Sequence, residues 1–139
     1  MLEIVTEAVT ALQSETASYP KNVQIWMKLM GISFLVSIFF AYSKSGARWI
    51  LLALVSNILG LIIGKVVFPD ASRTVIGTCV HLLFWPPILW AVWRSVRVLS
   101  PSRDIKGYLD WVYFIWLFWA SLLMSISLFF DFRTLIDLW

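Results

Sequence analysis

The sequence predicts an all-α integral membrane protein, a four-transmembrane-helix bundle with short loops and a flanking N-terminal amphipathic helix. Three observations carry this expectation. Of 139 residues, 60% are apolar and 14% are charged, against roughly 45–50% and about 25% in soluble domains. So short a chain cannot hide that much apolar surface in one soluble core. Four apolar runs are each long enough to cross a hydrocarbon layer of ~30 Å, which takes about 20 residues. They are continuous rather than alternating, which excludes a β-barrel. The same composition excludes a soluble enzyme, a disordered tail and a disulfide scaffold. The single cysteine, Cys79, allows no intrachain disulfide and no Cys-rich metal site.

Residues 1–24 form the first element. Leu2, Val5, Val9 and Leu12 recur at helical spacing with Ala8 beside them, while Glu3, Glu7, Thr10 and Ser14 fall mostly on other faces. Glutamates stand where a secretory signal has its basic region, and no apolar stretch follows them, so the segment is expected to stay on the mature protein. An acidic face suits anionic headgroups poorly. The helix is therefore expected either to lie on the outer interface or to dock on a protein partner.

The transmembrane domain covers residues 25–130, with spans at about 25–42, 49–68, 74–93 and 109–130. Short links make consecutive spans antiparallel neighbours. Trp26, Tyr42, Trp49, Trp90, Trp93, Tyr108 and Trp111 sit near span ends, where an amphipathic ring keeps one edge wet. Trp85, Trp116 and Trp119 lie deeper. Residues 131–139 form a short amphipathic tail with Phe132, Leu135, Ile136 and Trp139 among Asp131, Arg133 and Asp137.

Charge gives the orientation. Lys44, Arg48, Arg94, Arg97, Arg103 and Lys106 lie on one side, and Lys21, Lys65, Arg73 and Arg133 on the other. The first side is expected to be cytoplasmic, with both termini outside. A bacterial inner (plasma) membrane is the expected location. The net charge of +3 reads as this topology signal rather than as nucleic-acid binding.

Few polar residues fall inside the spans, and these are the candidate site residues. His81 lies about 10 Å, and Asn57 about 16 Å, below the outer boundary at 1.5 Å per residue. An intramembrane ionisable group is a functional candidate by default. His81 can relay protons, hydrogen-bond a quinone-like ligand, or serve only as a structural hydrogen bond between helices. One histidine supplies too few ligands for zinc or bis-His haem, and no particular cofactor is indicated. Pro86 and Pro87 each remove a helical donor, predicting a distortion that is either structural or ligand-facing. Lys28, Lys65 and Asp131 fall near the outer boundary on three helices, where they either snorkel or close one charge cluster.

Small residues predict close helix packing. Ser56, Gly60 and Gly64 form one stripe, and Ser33, Ser37 and Ala41 another. The two are expected to face each other, or the glycine stripe to face a partner subunit. No nucleophile motif, phosphate loop or paired intramembrane carboxylate is present. The leading functional expectation is thus a non-enzymatic small subunit in a larger membrane assembly, with lipid and other membrane subunits or further copies of itself as partners. A small oligomeric transporter or channel, its path lined by His81, Asn57 and the Pro86-Pro87 kink, is the second reading. A quinone-binding or redox subunit is the third.

Overall fold

The computed structural model describes residues 2–98 and 107–137, so Arg103 and Lys106 lie outside the described residues. It is an all-α bundle with no strand among those residues. Helix α1 covers Leu2–Ser18, α2 Lys21–Leu35, α3 Ser37–Ala41 and α4 Ser45–Val67. Helix α5 covers Arg73–Val98 and α6 Tyr108–Asp137. Four stretches are long and apolar enough to cross a membrane: Lys21–Ala41 (α2 with α3), Ser45–Val67, Arg73–Val96 and Tyr108–Ile136.

Local chemistry sets the boundaries. Gln24 donates to the Ala17 and Tyr19 carbonyls, closing the corner between α1 and α2. Arg48 donates to the Ala41 and Tyr42 carbonyls at the end of α3. Ser72 accepts from the Val75 amide and so caps α5. Helix α5 continues through Pro86 and Pro87. The C-terminal tail is not a separate element, because α6 runs on through Asp131 to Asp137. Neither glycine nor proline separates Phe130 from Asp131, so nothing stops the helix there.

The first span is interrupted at Val36. The indole of Trp116 donates to the Ser33 carbonyl at 2.8 Å. In an unbroken helix that carbonyl would accept from the amide of Ser37. The interruption thus coincides with a cross-helix bond that binds α2 to α6. Around it lies the core, with Phe34, Ile50, Trp85, Val92, Tyr113, Leu117, Leu123 and Met124 almost wholly buried.

The two small-residue stripes do not meet. The glycine stripe faces α5: a Cβ on Gly60 would come within 2.7 Å of Val80, and one on Gly64 would collide with Ile76. Val80 and Ile76 are one turn apart and buried, so they form a ridge that enters the groove left by the glycines. Ser56 turns its hydroxyl back to the Ala53 carbonyl at 3.0 Å. On the other stripe, Ser33 faces α6 through Trp116 and Trp119, and Ser37 is fully buried. Spacing identified both stripes, but spacing does not encode which neighbour each one meets.

Helix α1 packs on the bundle through one side. Its Ala8 and Leu12 are buried. Val9 and Leu12 share a groove with Ile58, Leu61 and Ile62 of α4, while Glu15 meets Lys65 at 2.6 Å. Ile58 is about 10 Å further down α4 than Lys65. So α1 runs beside α4 from Val9 to Glu15, and its carboxyl end lies on the side of the 68–72 turn.

Candidate functional site

The polar residues of the spans converge on one cavity of about 430 Å³. Each helix contributes one stripe, as helical geometry requires. Helix α5 supplies Thr74, Gly77, Thr78 and His81, and α2 supplies Val23, Met27 and Met30. Asn57 and Leu61 come from α4, Asp131 from α6, and Tyr19 from the α1–α2 corner. Arg73 lines the end nearest the 68–72 turn.

Its centre is a hydrogen-bonded pair. His81 Nδ1 lies 2.7 Å from Asp131 Oδ2, and Thr78 Oγ1 donates to Asp131 Oδ1 at 3.1 Å. A carboxylate only accepts, so the shared proton sits on Nδ1 and the ring is held in one tautomer. The Trp85 indole stacks on the imidazole, with centroids 3.8 Å apart and planes at 28°. Carboxylate and indole together fix where Nε2 points. Nε2 is buried and has no hydrogen-bond partner, and neither has Asn57 Oδ1. An imidazole held this way can accept a hydrogen bond or a proton at Nε2. Among the described residues no three potential metal ligands come together.

Three residues expected to mark the outer boundary as one cluster, Lys28, Lys65 and Asp131, are separated. Asp131 turns inward to His81. Lys65 pairs with Glu15 at 2.6 Å and also donates to the Ala71 carbonyl at 3.0 Å. Lys28 is exposed. Similar depth brought the three together in the sequence reading, but they project from different helix faces. Pro86 and Pro87 are exposed and do not line the His81 cavity; Pro86 borders a second pocket with Trp90, Trp93 and Arg94. His81 and Asn57 therefore share a cavity that the proline pair does not enter. Sequence reasoning passed over Thr78 and Trp85 as partners of His81. They lie three residues before and four after it, and that spacing was the available signal.

Beside the cavity, Glu15 joins three helices. Its carboxylate accepts from Lys65 and, at 2.6 Å, from the backbone amide of Arg73, the first residue of α5. An anion at a helix N-terminus is favourable there. The Lys65 hydrogen bond first, then the Arg73 amide, hold the Glu15 carboxyl below its ordinary value near 4.5. Arg73 places its guanidinium 6.0 Å from the Tyr19 ring centre, and Tyr19 Oη meets Thr74 Oγ1 at 2.8 Å. At the other end of the bundle, Lys44 pairs with Asp110 at 2.6 Å. Asp110 stands in the first turn of α6, so this carboxylate too is placed at a helix N-terminus.

No protein-family model matches the chain, and no curated protein and no solved structure shows significant similarity to it.

Proposed function

We propose that the protein is a small non-enzymatic subunit that packs within a larger assembly in the plasma membrane, with its basic side toward the cytoplasm. The observation that carries this reading is the polar face of α1. The helix lies beside a membrane-length helix from Val9 to Glu15, and Glu3, Glu7, Thr10 and Ser14 remain exposed. Counted from Glu15, Glu7 is about 12 Å and Glu3 about 18 Å further along the axis. On this reading two carboxylates stand at hydrocarbon depth on the flank of the bundle. Each charge there costs about 2.5–3.5 kcal/mol by insertion scales. A protein surface with hydroxyl, amide or basic groups removes that cost. Such residues inside a membrane usually face other helices rather than lipid.

The test is purification in mild detergent, with and without a Glu3→Leu/Glu7→Leu change. The native chain should come out with a stoichiometric membrane polypeptide or as a defined oligomer. The double variant, whose face is compatible with lipid, should stay folded and come out alone. A native chain that is monodisperse and alone, with the variant indistinguishable from it, contradicts the reading.

A further inference from the structure

We infer that the cavity binds an anionic phospholipid, with its phosphate at Arg73 and one acyl chain along the α2 wall. Arg73 carries the argument, because a guanidinium keeps its charge at any physiological pH. Its place is fixed by two cavity residues. Nη1 lies 3.4 Å from Met27 Sδ, and Cζ stands 6.0 Å from the Tyr19 ring centre. Met27 and Tyr19 both line the cavity, and Arg73 is half-buried rather than closed off. A thioether is a weak acceptor, and it takes one of five guanidinium donors. The Glu15 carboxylate is already engaged by Lys65 and by the Arg73 backbone amide. Lys65 balances the charge of Glu15, so that of Arg73 has no ion-pair partner among the described residues. Near the guanidinium, Tyr19 Oη and Thr74 Oγ1 share one hydrogen bond of 2.8 Å. Two hydroxyls hold two protons and that bond uses one, so one O–H is free to donate whichever way the bond runs. Charged N–H groups and a hydroxyl at one end of a cavity suit an acceptor-rich anion such as phosphate.

The rest of the lining suits a chain. Val23, Met27 and Met30 of α2 and Leu61 of α4 form an apolar wall, and methionine adapts to a neighbour without fixed shape. From Thr74 to His81 the cavity follows α5 for about 10 Å. Asp131 lies at the deep end, engaged by Thr78 and His81. A carboxylate there repels an anionic head, which leaves the Arg73 end for the phosphate. Arg73 also begins a membrane-length span, Arg73–Val96, so its guanidinium stands at headgroup depth. A bilayer supplies phosphate tethered to acyl chains at that depth, and basic pockets between membrane helices bind such headgroups. Every residue used comes from one chain, and the site is the same whichever end of the bundle faces the cytoplasm. The inference therefore does not depend on the assembly proposed above.

The chain has four methionines, Met1, Met27, Met30 and Met124, so ¹³C labelling of their methyl groups puts two reporters in the cavity wall. The full-length protein in mild detergent is titrated with dioleoyl-phosphatidylglycerol. Dioleoyl-phosphatidylcholine, with the same chains and phosphate but no net charge, is the comparison. The anionic lipid should move the Met27 and Met30 resonances saturably and leave Met124, buried in the core, in place. The zwitterionic lipid should bind about tenfold more weakly or worse. Arg73→Gln keeps the backbone amide that Glu15 accepts from, and should lower phosphatidylglycerol to the affinity of phosphatidylcholine. Inorganic phosphate, a head without a chain, should move neither reporter. The inference is overturned by no saturable shift, by equal affinity for the two lipids, or by an equal response to inorganic phosphate. A shift of Met27 without Met30, or one shared by Met124, overturns it as well. The comparison of the two lipids on the native protein stands even if Arg73→Gln fails to fold. A native chain that purifies without a partner polypeptide refutes the assembly and leaves this titration untouched.

Discussion

Glu15 shows how one side chain fixes an element. It ties α1 to the end of α4 and to the start of α5 through two bonds of 2.6 Å. Its carboxyl is held below the ordinary value near 4.5, so its stabilising effect is complete above the unfolded value and fades as pH falls through the lower, folded one. Acidification through that range should release α1, read as faster amide exchange across Leu2–Ser18. Glu15→Gln should raise the same exchange already at neutral pH. Unchanged protection in both conditions would mean that Ala8 and Leu12 alone hold the helix. Trp116 makes the comparable bond inside the membrane span. Trp116→Phe keeps an aromatic ring but removes the donor to Ser33 and some buried volume, and should cost at least about 0.5–1.5 kcal/mol in reversible unfolding. The polar residues also show how far a sequence can be read at this scale. Counting residues put Asn57 and His81 at similar depths, and they share a cavity. Counting also put Asp131 with Lys28 and Lys65, because depth says nothing about facing. Asp131 instead turns from α6 to His81 on α5.

At the scale of elements, the α4–α5 contact is the most extensive among the described residues. Gly60 and Gly64 open a groove in α4 that Val80 and Ile76 fill. Gly60→Leu would place a branched side chain where even a Cβ lies 2.7 Å from Val80. Overpacking of this kind costs roughly 1–3 kcal/mol. The variant should lose most of its folded, monodisperse material on detergent gel filtration. Leu59→Ala, at a half-exposed neighbouring position, should behave like wild type. Equal recovery of the two variants would show that α4 is rotated from this arrangement. The four spans were legible because each is a long apolar run between breakers or charges. Their ends were less so: α6 runs on through Asp131, since an acid alone does not stop a helix. The fate of α1 was not legible, because an amphipathic pattern marks an apolar face without saying what covers it.

The whole molecule is asymmetric in charge. Lys44, Arg48 and Arg94 stand at one end with Asp110, while at or near the other end Lys65 and Arg73 stand among Glu15, Asp70 and Asp131. If the basic end is cytoplasmic, a reporter active only in the cytoplasm should work when inserted near Ser100 and be silent after Trp139. The reverse pattern inverts the orientation and leaves the bundle as described.

The acidic face of α1 carries the wider reading, since it leaves Glu3 and Glu7 exposed beside an apolar bundle. A photoreactive amino acid in place of Glu7, activated in intact cells, reports directly on what covers that face. A protein adduct of defined mass is expected, matching the polypeptide that co-purifies with the native chain, or doubling the 16.0 kDa of this one if the cover is a second copy. Adducts to lipid alone would contradict a role as a subunit packed within an assembly.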